Sequence, residues 1–96
     1  MALHVFARFH ARPGAAAALE AAIRTVGAPT LGEPGCEGWQ AFRSVRVDDE
    51  FHIHSLWADR AAFERHAVLP HTERFLAAVQ ELTDHPLSVA LAEPLA

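Results

Sequence analysis

The sequence contains no lysine, no tyrosine and no asparagine, and only one cysteine, Cys36, among its 96 residues. Each absence closes a route. Without lysine there is no Schiff-base nucleophile, and the eight cationic side chains are all arginine. Set against twelve acids they leave a formal charge of −4, which disfavours a phosphate-neutralising nucleic-acid surface. Without Tyr or Asn two common oxygen-handling side chains are missing. A lone cysteine makes neither an intramolecular disulfide nor a thiolate metal site, so packing alone must hold the fold, which suits a reducing cytoplasm. No apolar run approaches the ~18 residues of a membrane span, and His4, Arg8 and His10 break up the first apolar stretch. Neither export nor membrane insertion is expected.

What remains is a chain with 51% hydrophobic residues, six Phe, two Trp and seven His. That composition supports a packed core, and the length suits a single domain over residues 1–96. Leu3, Val5, Ala7 and Phe9 alternate with a mixed set of His, Phe and Arg, the pattern of a strand with two unlike faces. Pro13 then sits where a helix tolerates a missing N–H, and Ala15, Leu19, Ala22, Ile23 and Val26 recur at helical spacing, with Glu20 and Arg24 one turn apart. The helix is expected to stop near Gly27, leaving Ala28 to Gly38, with Pro29, Gly32, Pro34 and Gly35, as a loop. Trp39 to Val47 and Phe51 to Trp57 read as a hairpin joined by the acidic turn Asp48-Asp49-Glu50. Phe51, Ile53, Ser55 and Trp57 share one face of the later strand, and His52, His54 and Leu56 the other. Asp59 is placed to cap a short helix from Arg60 to His66. Pro70 opens another, which ends before Asp84-His85-Pro86, and Leu87 to Ala92 alternate as a last strand.

The order strand, helix, strand, strand, helix, helix, strand is that of a ferredoxin-like α+β sandwich, an antiparallel four-stranded sheet with helices on one face and one extra short helix. The other sheet face, with His4, Phe6, Arg8, His52, His54 and Leu56, has no predicted cover. A homodimer through this face is the expected remedy, with Arg8 paired to an acid across it.

Four patterns coincide in order and spacing. Pro34-Gly35-Cys36 leads into the second strand, and Trp57-Ala58-Asp59 ends the third. Ala62-Phe63-Glu64-Arg65-His66 follows, then Pro70-His71 opens a helix containing Phe75. Together, from roughly His4 to Leu95, they resemble the antibiotic biosynthesis monooxygenase domain family. The resemblance implies a dimeric α/β barrel with a pocket between sheet and helices. It also implies that some members oxygenate phenolic or quinol-type substrates with O2 and no metal, haem or flavin, while others have no demonstrated activity. No cofactor is expected, and no Gly-rich dinucleotide fingerprint follows the first strand. The chain departs from the family on the third strand: where many relatives carry Tyr-x-x-Trp or Tyr-Glu-x-Trp it reads His54-Ser55-Leu56-Trp57. The family acid is thus replaced by Ser55. The positions that haem-degrading relatives use fall near Ala7, His66 and Leu76, and with no Asn in the chain haem degradation is disfavoured.

These readings converge on candidate residues. His66 and His71 are the candidate bases, since an imidazole titrates near ~6.5. The plainer reading is that His66 closes a helix end against its dipole and His71 caps or bonds backbone at the next helix start. Trp57, Phe63, Ser55 and Ile53 are the candidate substrate wall, with core packing the plainer reading for Trp57. His52 and His54, with His4 or His10, have strand spacing that approximates a metal site, but no acidic companion is evident; interface packing is the preferred reading and no metal is assigned. Cys36 is expected to be buried packing. The expected function is that of a cofactor-independent monooxygenase acting on a small aromatic or quinol-type substrate. The alternative is a non-catalytic dimeric ligand-binding or stress-related protein of the same fold.

Overall fold

A computed structural model describes residues 2–96. The alternation in the first segment yields β1 (Leu3–His10), followed by α1 (Ala16–Leu31), β2 (Cys36–Arg43), β3 (Glu50–Trp57), α2 (Arg60–Ala67), α3 (Pro70–Leu82) and β4 (Ser88–Ala92). The strands form one antiparallel sheet in the order β2-β3-β1-β4, with β1 and β3 central. This is the expected ferredoxin-like α+β sandwich, with the helices on one face.

Register decides which side chains meet the helices. Val5 pairs with Ser55, Ala7 with Ile53 and Phe9 with Phe51, and this face carries the core. Phe9, Phe51 and Ile53 pack on Leu19 and Ile23 of α1 and Val79 of α3, while Val5, Trp57 and Ala62 form a second cluster beneath α2. On the opposite face Phe6 and Phe42 are 49% and 46% exposed. There the rings of His4, Phe6 and His54 stack, and His4 Nδ1 lies 2.9 Å from His54 Nε2.

Besides one-residue shifts at the starts of β3 and β4, three elements depart from the sequence expectation. First, α1 does not stop at Gly27 but runs to Leu31. Gly27 is there for close approach, because a Cβ at this position would lie 2.6 Å from the Trp39 ring. Pro29 withholds an N–H from the Thr25 carbonyl in the exposed last turn, where water can serve it, and Thr30 Oγ1 donates to the Val26 carbonyl at 2.7 Å. Second, β2 begins at Cys36, with a bulge before Gly38, and ends at Arg43 rather than Val47. Ser44 Oγ there accepts from the N–H groups of Arg46 and Val47, which turns the chain early. Third, α2 runs one residue past His66. The capping role of Asp59 is as expected, its Oδ1 accepting from the Ala62 N–H at 2.9 Å.

Candidate functional site

Between the inner sheet face and the three helices lies a cavity of about 170 Å³. Val5, Ala7, Ile53 and Ser55 form its floor, Val26 and Thr30 one wall, and Phe63, His66, Thr72 and Phe75 another. Leu76 and Val89 also line it yet are 39% and 47% exposed, which places the mouth between α3 and β4. An engineered apolar cavity of ~150 Å³ accommodates benzene, so this space holds one aromatic ring, with anything larger reaching into the mouth.

The lining is apolar apart from Thr30, Ser55, His66 and Thr72. The Thr30 hydroxyl is spent on the Val26 carbonyl. Ser55 Oγ accepts from Trp57 Nε1–H at 3.0 Å, which among the described residues leaves its own O–H for a ligand. His66 stands in the last turn of α2, as the dipole reading anticipated, but a second partner fixes it. Its Nδ1 lies 2.8 Å from Glu33 Oε2 and 3.1 Å from Oε1, with Thr72 Oγ1 at 3.2 Å. An ionised carboxylate only accepts, so the neutral ring carries its proton on Nδ1 and keeps a lone pair on Nε2. The Glu33 side chain is 6% exposed, and the same Oε2 lies 2.6 Å from His71 Nε2.

Local sequence explains how a loop carboxylate is held there. Gly32 closes α1, and the Glu33 carbonyl accepts from Cys36 N–H at 3.1 Å. Gly35 has φ +85°, and a Cβ on it would lie 2.5 Å from Ala62 Cβ, so the loop rests directly on α2. Its carbonyl accepts from Ala58 N–H at 2.8 Å, tying the loop to the end of β3. The Pro34-Gly35-Cys36 run thus anchors Glu33.

Of the candidate residues, Ile53, Ser55, Phe63 and His66 line the cavity. Trp57 does not: it is 0% exposed behind the wall, its ring 4.7 Å from that of His66 and edge-on to Phe63 at 6.0 Å. The stacking-wall reading of Trp57 gives way to a supporting role, because its strand position points it into the second core cluster. His71 lines a shallower groove beside Pro29 and Arg74 and meets the site only through Glu33. It is not a cap, since α3 has no side-chain N-cap bond. Sequence reasoning missed Glu33, Thr30 and Thr72. An acid directly before Pro34-Gly35-Cys36 was the available signal for the first, and nothing local marks the others.

His52 meets Glu50 at 3.0 Å and His54 meets His4, so the two strand histidines do not converge on a common carboxylate. Cys36 is half-buried, and burial pushes its thiol up, as packing predicts. Among the described residues no helix is long and apolar enough to cross a membrane.

The ferredoxin-like sandwich around an apolar cavity sets the fold class, and comparison with known proteins names the family. The family profile "Antibiotic biosynthesis monooxygenase" matches residues 2–85, and the chain belongs to that family. It is 33% identical over 91 residues to "Putative monooxygenase Rv0793" of Mycobacterium tuberculosis, an alignment covering 95% of this chain and 89% of that protein. The solved structure of Rv0793 superposes with a TM-score of 0.94 at 31% identity, covering 100% of this chain and 97% of the other. PA3566 of Pseudomonas aeruginosa gives 0.91 at 30% identity, covering 99% and 95%. A variant of SnoaB, described as a cofactor-independent oxygenase from Streptomyces nogalater, shares the fold at a TM-score of 0.87 and 21% identity, covering 99% and 94%.

Proposed function

We propose that this protein is a cofactor-independent monooxygenase that oxidises a one-ring or two-ring hydroxyaromatic or quinol with O2. The observation that carries the reading is His66: a ring whose Nδ1 is held by the Glu33 carboxylate while the residue itself lines an apolar cavity. In that tautomer Nε2 accepts the phenolic proton, and Glu33 stabilises the imidazolium that results. The phenolate then transfers one electron to O2, the two radicals combine to form a C–O bond, the resulting peroxide anion takes the proton back from the His66 imidazolium, and the hydroperoxide loses water to give a quinone. One oxygen atom enters the product and the other leaves as water. Ser55 O–H is available to hold the substrate oxygen, and the apolar wall excludes water that would stabilise the phenolate and slow its oxidation.

Support from relatives is of the same kind: the family name, the monooxygenase name of the Mycobacterium tuberculosis relative, and the described oxygenase activity of SnoaB. The same reading includes a homodimer formed through the outer sheet face, where Phe6 and Phe42 stand half-exposed beside the stacked His4 and His54. A cytoplasmic setting agrees with a lone, half-buried cysteine. The test is O2 uptake by chelator-treated protein with a panel of dihydroxybenzenes and dihydroxynaphthalenes. Uptake that depends on both substrate and His66 supports the reading. None across the panel favours a ligand-binding protein.

A further inference from the structure

The geometry points to a second use of the same cluster: Glu33, His66 and His71 form a binding site for a divalent transition metal, zinc foremost. Glu33 Oε2 lies 2.8 Å from His66 Nδ1 and 2.6 Å from His71 Nε2, and the three donor atoms all lie within 4.8 Å of one another. A tetrahedral zinc with bonds of 2.0–2.1 Å sets its ligands about 3.3 Å apart, so small side-chain rotations open the cluster around an ion. The donors come from three separate anchored elements: the loop pinned by Gly35, the end of α2 and the first turn of α3. Their side chains are 6%, 16% and 21% exposed, which keeps the positions fixed while leaving a path for the ion.

Charge argues in the same direction. Among the described residues, the ion-pair contacts of Glu33 are these two imidazoles alone, with no arginine, so a buried carboxylate faces two groups that are neutral when unprotonated. A dication compensates it directly. Two imidazoles and one carboxylate suit zinc, cobalt, nickel or iron and disfavour calcium and magnesium, which take oxygen ligands. The other convergent trio, His10, Asp84 and His85, has side chains 31%, 34% and 69% exposed and serves as the internal comparison.

Metal binding has a chemical consequence. The ion takes the lone pair of His66 Nδ1, so the ring proton moves from that nitrogen to Nε2, which then accepts nothing from the cavity. Occupancy switches the base off. That consequence rests on the proposed role of His66, whereas the binding does not.

The test uses intact, chelator-stripped protein titrated with zinc chloride by calorimetry, with the imidazole signals followed by nuclear magnetic resonance. The expected result is one zinc per chain in the wild type and in His85→Ala, with affinity ~10²-fold weaker in Glu33→Gln and in His71→Ala. In the wild type the His66 and His71 signals move with zinc, a readout that survives if either variant fails to fold. Absence of saturable binding overturns the proposal. So does binding that is lost in His85→Ala and moves only the His10 and His85 signals. Neither readout involves turnover, so failure of the oxygenase reading leaves this result standing and the reverse holds too.

Discussion

Glu33 and His66 are 33 residues apart in sequence and meet at 2.8 Å, the carboxylate of a loop against Nδ1 of an imidazole that lines the cavity. The contact selects one tautomer and one ring orientation. Replacing the acid by its amide preserves shape, removes the charge and offers the ring an NH2 donor as well as an acceptor oxygen, so the tautomer is no longer fixed. Glu33→Gln is expected to lower kcat on any accepted substrate by ~10²-fold with KM changed only a few-fold, because the loss falls on the imidazolium formed in the transition state. Steady-state kinetics of Glu33→Gln, His66→Ala and the double variant check this. The double variant should be no worse than His66→Ala alone, since the two residues act as a unit.

Trp57 supports the site from behind rather than stacking on substrate. Fully buried, it fills the second core cluster and braces His66 and Phe63. Trp57→Ala should cost about 3–5 kcal/mol of stability in denaturant unfolding, the usual loss for deleting a large buried aromatic. A loss under about 1 kcal/mol, the scale of a surface change, would contradict the packing.

Gly35 and Gly14 both have positive φ, at +85° and +83°, but only Gly35 is also in steric contact, with Ala62 Cβ 2.5 Å from an added Cβ against nothing within 4 Å at Gly14. Gly14→Ala carries backbone strain alone, about 1–2 kcal/mol. Gly35→Ala should be clearly worse in thermal unfolding and should also displace Glu33, so that activity falls further than in Gly14→Ala. Equal effects on both counts would contradict the role given to the loop.

At the far end of the sheet, His10 Nδ1 lies 2.8 Å from Asp84 Oδ1. That hydrogen bond raises the imidazole above its usual 6.5 and holds the Asp84 carboxyl below its usual 3.8. The histidine contribution is complete below 6.5 and is lost as pH rises through the raised value. The aspartate contribution is complete above 3.8 and is lost as pH falls through the lowered one. The contact is therefore strongest between 3.8 and 6.5. The urea midpoint difference between wild type and His10→Gln should be larger at about pH 5 than at about pH 9. An equal difference at both would contradict the coupling.

The outer sheet face carries the dimer proposal. Light scattering at micromolar concentration should give twice the chain mass, and Phe6→Arg, which sets a charge beside His54 at the centre of the apolar patch, should shift the protein to monomer. A monomeric wild type would contradict it.

The strands were legible because their two faces differ in chemistry, and the Phe51, Ile53, Ser55, Trp57 face is buried at all four positions. Asp59 and Pro70 marked helix starts through local rules that hold whatever the tertiary context. The end of α1 was not legible: Gly27 looks like a stop, yet its missing Cβ makes room for Trp39, 12 positions later and on a strand. The candidate site was half legible for the same reason. His66, Phe63, Ser55 and Ile53 lie on regular elements whose facing follows from period, whereas Glu33 sits in a loop whose placement depends on Gly35 meeting Ala62. The side of the wall on which Trp57 falls is likewise set by packing depth, which alternation does not encode.

The central claim is that an imidazole held by Glu33 lets O2 react directly with a bound hydroxyaromatic anion. Its most direct test is single-turnover oxidation of a dihydroxynaphthalene under isotopically heavy O2, with chelator-treated wild type and His66→Ala compared by mass spectrometry. The account predicts one heavy oxygen atom in the wild-type product and a rate ~10²-fold lower in His66→Ala. A product without the label, or an undiminished rate in His66→Ala, would contradict it.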